Sequence, residues 1–161
     1  MAGSARYTVV LDACVLYPAP VRDLLLNSAR LHLTAEKMAS AIPDSQITGY
    51  ERYTAIVTLP DPDDRHVVAA AIAGHADAIV TFNLKDFPAE TMESFGLEAQ
   101  HPDDFVVNQL HLNLIEALKG IKAQRARLNK PALTPSEFLA VIARCGLPQT
   151  ASLLADSIEL I

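Results

Sequence analysis

Ala78-Ile79-Val80-Thr81-Phe82-Asn83-Leu84-Lys85-Asp86-Phe87 is the stretch whose reading decides the fold. Its first five residues (AIVTF) are apolar or β-branched, too few for a helix and suited to a buried strand. Polar groups then follow at once: Asn83, Lys85 and Asp86, with Phe87-Pro88 to anchor the loop. Upstream, Asp61 to Ala73 reads as a helix, with Asp61 as N-cap, Pro62 at N1, more acids in the first turn and Gly74 at C′. Further upstream, Tyr7 to Leu11 (YTVVL) is another short buried strand, and Asp12 follows it directly. Buried strands separated by helices predict an α/β fold, a parallel sheet covered by helices.

The rest of the chain fits around these runs. Pro18 and Pro20 break it, and Val21 to Leu33 has roughly helical spacing. Thr34 to Ala41 reads as a short helix ended by Pro43, Ser45 to Thr48 as a weak strand before Gly49, and Leu97 to Gln100 as a short edge strand. From about Asp104 the strand signals stop. Residues 105–128 read as helical, and Thr134-Pro135-Ser136-Glu137 is a capping box that opens a helix closed by Gly146 and Pro148. Pro148 to Ile161 reads as one last helix. The expected organisation is a domain over 1–105 and a helical extension over 106–161 packed on it.

Composition bounds the function. The chain has 161 residues, 50% of them apolar and 20% charged, which excludes a disordered chain and allows one proper core. No apolar stretch approaches the roughly 18 residues that a membrane span needs. Met1 to Arg6 leads straight into a strand-like run without a signal peptide's hydrophobic segment. Cys14 and Cys145 are too few and too badly spaced for a disulfide framework or a zinc site. A reducing cytoplasm is therefore the expected setting. A net charge of −6 argues against a broad nonspecific nucleic-acid surface and leaves room for a local basic groove.

Three acidic stretches carry the chemistry, and each has a bland reading beside the functional one. Asp12 either caps the next turn or stands as a ligand at the C-terminal edge of the sheet, the place where open α/β sheets bind. Asp61, Asp63 and Asp64 suit a helix start without any further task. Three acids within four residues nevertheless exceed what a cap needs, and Asp64 is the expected ligand. Asp86 belongs either to an Asx-type loop or to the same site, with Thr81 and Asn83 close by. Carboxylates gathered without histidine or cysteine suit a hard, oxygen-seeking cation such as Mg²⁺. Lys119, Lys122, Arg125, Arg127 and Lys130 form a positive run, read either as a solvated helix face or as a contact to a phosphate backbone or an acidic partner peptide.

Val10 to Pro18, Leu59 to Val67 and Ile79 to Phe87, taken together and in this order, resemble the PIN domain family, in particular the VapC-like toxins of type II toxin–antitoxin modules. The resemblance covers roughly Tyr7 to Phe105, and the helical tail is similar to one branch of the family. It implies a PIN-like α/β/α sandwich with a central parallel sheet and a Mg²⁺- or Mn²⁺-dependent endoribonuclease. Asp12, Asp64 and Asp86 would be its catalytic, metal-binding acids, supported by Asp61, Asp63, Thr81 and Asn83. Arg65, Lys85, Lys122 and Arg125 are the candidate contacts to RNA or a partner. RNA, a cognate antitoxin and a second copy of the chain are the implied partners.

The chain also departs from that pattern. The segment between the first helix and the second strand is shortened near 33–45, where such proteins carry a second acid, a glutamate. Glu36 is the only glutamate left there and its context does not match; Glu51 is another acid in range by sequence distance alone. Cys14 stands where many relatives have Asn or Ser. Two rivals follow: an inactive PIN module that binds an antitoxin or RNA, and a phospho-acceptor signalling domain. The latter usually needs an acidic pair before a separate acceptor strand, whereas here the acids flank a helix start.

Overall fold

A computed structural model of the chain describes residues 7–28 and 47–161. The expected helix at Thr34–Ala41, the end of the Val21–Leu33 helix, the shortened stretch with Glu36, and Ser45 lie outside these residues. The sheet is mixed into an α/β order, as expected. Among the described residues it has three parallel strands: β1 (Val9–Leu11), β2 (Ala78–Val80) and β3 (Glu98–Gln100), in the order β1-β2-β3. Val10 pairs with Ile79 and Ile79 with Ala99. Every residue of the central strand β2 is fully buried, which is why its sequence is continuously apolar instead of alternating. Ile47 and Thr48, the described end of the expected weak strand, are not in a strand.

The described residues fall into two compact units, 7–14 with 47–101 and 15–28 with 102–161. In the first, Val57, Leu59, Val67, Val68, Ala71, Ile79, Phe87, Met92 and Leu97 form the core. The helix predicted from Asp61 is present, beginning as a 3₁₀ turn over Pro62–Asp64 before the α-helix Arg65–Ala73. Its end differs in detail. Gly74 has φ −86°, and the left-handed residue is His75 at φ 50°. Gly74 instead admits a close neighbour: a Cβ there would lie 2.7 Å from Ile47 Cδ1.

The second unit is helical. Ala19–Ser28 packs against Pro102–Leu112 and Leu114–Arg127, while Pro148–Ala155 packs against Pro102–Leu112 and Pro135–Arg144. The first of these begins two residues before the expected Val21, because Pro20 is tolerated within a helix's opening turn. Buried Gln124 donates from Nε2 to the Pro20 carbonyl at 3.2 Å. The helical stretch expected at 105–128 is two helices. Asn113 divides them, its side chain accepting from the Glu116 amide at 3.3 Å as a new N-cap. The last expected helix stops at Ala155, and a 3₁₀ turn at Ile158–Leu160 follows. Among the described residues no helix is long and apolar enough to cross a membrane.

The predicted capping box is formed. Thr134 Oγ1 accepts from the Glu137 amide at 3.3 Å, and Glu137 Oε2 accepts from the Thr134 amide at 2.8 Å. Oε2 also accepts from the Thr134 hydroxyl at 2.8 Å, and the amide bond first and this hydroxyl bond second hold the Glu137 carboxyl below its ordinary value of 4.5. A carboxyl with a lowered folded pKa stabilises the fold above its unfolded pKa and loses that effect as pH falls through the folded value. Glu137→Gln is therefore expected to lower stability at neutral pH and to converge with the parent protein on acidification below about 4.5. Urea denaturation across about pH 2.5–7 checks the convergence.

Candidate metal centre

The site is assembled by the ends of two neighbouring strands and one helix start, all within the first unit. Asp12 continues the pairing of β1, its amide donating to the Val80 carbonyl at 3.1 Å. Thr81 leaves β2 in the same manner, its amide donating to the Gln100 carbonyl at 3.0 Å. The two side chains therefore meet, and Thr81 Oγ1 donates to Asp12 Oδ2 at 2.8 Å. Thr81 is fully buried, and this bond satisfies its hydroxyl. Its oxygen also accepts from the Asn83 amide at 3.0 Å, which turns the chain into a 3₁₀ turn over Leu84–Asp86. Asn83 Nδ2 donates to Asp86 Oδ2, fixing that carboxylate.

The third contribution is Asp61-Pro62-Asp63-Asp64. Asp61 is the N-cap, as its bland reading required: Oδ1 accepts from the Asp63 amide at 2.9 Å. Yet Asp61, Asp64 and Asp86 each offer an oxygen within 4.8 Å of the others'. Residues three apart eclipse in a 3₁₀ turn, so Asp61 and Asp64 come to one side. Asp12 stands outside that trio but belongs to the same electrostatic neighbourhood. The Asp64 carboxyl is held above its ordinary value by burial first, then by the charges of Asp12, Asp61 and Asp86, with His66 opposing them.

The structure gathers Asp64 and Asp86, two of the acids singled out from the sequence, with Asp12 alongside, and it brings the expected supporting residue Asp61 into the same cluster. The signal for Asp61 was its spacing from Asp64 together with proline at the turn's first position. Asp63 is exposed and takes part through its backbone, its carbonyl meeting His66 Nδ1 at 2.6 Å. Cys14 is not a gap in the polar lining: its thiol donates to Asp12 Oδ2 at 3.0 Å. Burial, then that bond to Asp12, push the Cys14 thiol up from its ordinary pKa.

The candidate basic contacts divide. Lys85 is exposed beside Asp86, and Arg65 is half-buried directly after Asp64. In the second unit Lys122 is exposed, whereas Arg125 is half-buried and donates from Nη1 to the Leu133 carbonyl at 2.8 Å. Lys119 of the same helix pairs with Glu116 at 2.8 Å, an acid just upstream of the positive run.

A donor set of carboxylate oxygens alone, in which burial first and neighbouring charge second raise the pKa of Asp64, fits a hard divalent cation and fits a soft one poorly. Such an ion would relieve the repulsion that the four aspartates impose on one another. Glu51 is exposed in the short helix Glu51–Thr54 and is not part of the trio.

Comparison with known proteins gives matches to two family models and to one curated relative. A family model for the PIN domain matches residues 21–85, a span holding Asp61, Asp63, Asp64, Thr81 and Asn83, while Asp12 and Asp86 fall outside it. A second, for the VapC50 C-terminal domain, matches residues 102–156. A Mycobacterium tuberculosis protein named "Putative ribonuclease VapC50" is 51% identical over 58 residues, 36% of this chain. The match spans 34% of that relative's length. No solved structure gave a significant match.

Proposed function

We propose, for a chain that belongs to the PIN domain family on its VapC-like branch, that it is a divalent-cation-dependent endoribonuclease acting as the toxin of a toxin–antitoxin pair. The observation that carries this reading is the convergence of Asp61, Asp64 and Asp86, with Asp12 alongside, at the C-terminal edge of a parallel sheet. Asp12, Asp64 and Asp86 hold Mg²⁺ or Mn²⁺. Asp61 supports them, with one oxygen already committed to the Asp63 amide. Thr81 and Asn83 orient Asp12 and Asp86 through the bonds described above. The chemistry supplied by a bound cation here is polarisation of a phosphoryl oxygen and a lowered pKa for an attacking water.

The chain's residues do the remainder. The fixed carboxylates would hold a bound cation in one place, and Arg65 and Lys85 give the phosphate backbone positive charge next to the acids. RNA is the substrate, and a cognate antitoxin and a second copy of the chain are the protein partners, a reading supported by the PIN domain match, the match to the VapC50 C-terminal domain and the 58-residue likeness to the putative ribonuclease VapC50. The PIN-like domain spans 1–105, with 106–161 as its helical extension. Activity is reduced relative to a site with a full set of uncommitted acids, because the shortened segment has no clear match to the family's glutamate. That same feature favours the second reading, an inactive module that binds antitoxin or RNA.

RNA cleavage with and without Mg²⁺, for the parent protein and Asp12→Asn, separates the two. The expected result is Mg²⁺-dependent cleavage that falls by about 10²-fold or more in the variant. No cleavage, or equal cleavage by both proteins, overturns the catalytic reading.

A further inference from the structure

Cys14 occupies a position in the site that its residue type does not advertise. Its sulfur lies 3.0 Å from Asp12 Oδ2 and 3.4 Å from Thr81 Oγ1, and it accepts from the Phe82 amide at 3.4 Å. These contacts tie Asp12, the residue directly after β1, to the first two residues after β2. Asp12 Oδ2 thereby receives two donors, the Thr81 hydroxyl and the Cys14 thiol. Both fall on the same oxygen. No hydrogen bond to Asp12 Oδ1 is seen among the described residues.

We infer that Cys14 is a positioning residue that locks the Asp12 carboxylate so that Oδ1 alone is presented to the cation. This inference rests on the metal-site reading proposed above and concerns the same site. A carboxylate held at one oxygen by two donors and free at the other binds in a single-oxygen mode, with its rotation already restricted. Outer-shell donors of this kind restrict a ligand's orientation and set its affinity. Thr81 alone leaves Asp12 free to swing about one hydrogen bond; the thiol supplies the second point that stops it. The Phe82 amide in turn holds the sulfur, so that S–H points at the carboxylate and not into solvent.

The test uses the full chain, with Mn²⁺ and Mg²⁺ titrated calorimetrically in the absence of RNA. Cys14→Ala and Cys14→Val both delete the donor, the latter keeping most of the volume, while Cys14→Ser keeps a donor in place. Ala and Val are expected to weaken Mn²⁺ binding about tenfold, the low end for an outer-shell partner because S–H is a weak donor. Ser is expected to stay within about threefold of the parent protein, since a hydroxyl donates more strongly from a shorter reach. A merely structural cysteine would lower the melting temperature in Ala without moving the affinity of folded protein. Parent-like affinity in both Ala and Val, with saturable binding in the parent, overturns the role of Cys14 and leaves the metal site standing. Absence of saturable binding in the parent overturns both. Equal weakening in Ser and Val overturns the donor role specifically.

Discussion

Asp64→Asn melts slightly higher than the parent protein in the absence of divalent cations, yet loses the stabilisation that Mg²⁺ or Mn²⁺ gives the parent. The two effects have one cause. In the metal-free site Asp64 faces Asp12, Asp61 and Asp86, and both its burial and their charges oppose its ionisation. Asparagine removes one of the crowded charges. The carboxylates are largely solvated and their repulsion is screened, so the gain is small, about 1–2 °C in melting temperature.

The pH dependence of that gain has a definite sign. A carboxyl whose folded pKa is raised contributes stability that is complete below its ordinary 3.8 and lost as pH rises through the raised value. The advantage of Asp64→Asn therefore opens across that window and is constant near neutrality. With cation at about a hundred times its dissociation constant, the parent gains about 2.7 kcal/mol and the variant little of it. RNA cleavage is expected to fall by about 10²-fold or more, beyond the range of an outer-shell change. Thermal melts with and without Mn²⁺, run beside the cleavage assay, check all three expectations. A variant that keeps the parent's cation-induced shift would sink Asp64 as a ligand.

The second large effect lies in the helical unit and concerns stability alone. Asp103 is 1% exposed, in the first turn of Pro102–Leu112. Its Oδ2 accepts from the Gln149 amide at 2.8 Å. Its Oδ1 accepts from the Thr150 amide at 2.8 Å and from the Thr150 hydroxyl at 2.6 Å. The helix Pro148–Ala155 has no side-chain cap from its own N-cap Leu147, so Asp103 supplies the cap from another helix. Its charge also complements that helix's positive end.

Asp103→Ala leaves the Gln149 and Thr150 amides without their carboxylate and the Thr150 hydroxyl with only the Asp103 main-chain carbonyl at 3.5 Å, and Thr150 is fully buried. Orphaned buried donors cost about 1–3 kcal/mol each, and bonds to a charged acceptor lie at the upper end. The expected loss is about 3–4 kcal/mol, or roughly 10 °C in melting temperature for a domain of this size. Asp103→Asn keeps one acceptor oxygen and is expected to lose about half as much. Urea denaturation measures both. A loss below about 1 kcal/mol in Asp103→Ala would show that water replaces the carboxylate, and the cap would then count for little.

These two aspartates also mark the limits of what could be read from the chain. Asp64 was legible because its neighbours are sequential: Pro62, Asp61 and the apolar helix positions after it form a local start signal. The capping box of Thr134 and Glu137 and the continuous apolar strand Ala78–Val80 were legible for the same reason. Asp103 was not, because its partners lie more than forty residues away and no spacing rule links an acid in one helix to the opening turn of another. Single-turn helices such as Ala13–Leu16 and Glu51–Thr54 are too short to show a period. The share of Asp61 in the trio and the thiol bond of Cys14 depended on strand ends and turns meeting in space. Their residue types pointed elsewhere, to a plain cap and to a lost polar group.

The division of the chain between its two units has a consequence for how the protein is made. The helix Ala19–Ser28 buries Val21, Leu24 and Leu25, and its main packing partners begin only at Pro102. At about 5–20 residues per second, more than seventy residues of synthesis separate this helix from those partners, a wait of roughly 4–15 s. Throughout that interval the nascent chain carries an early helix whose main packing partners among the described residues have still to be synthesised, so its apolar face settles late.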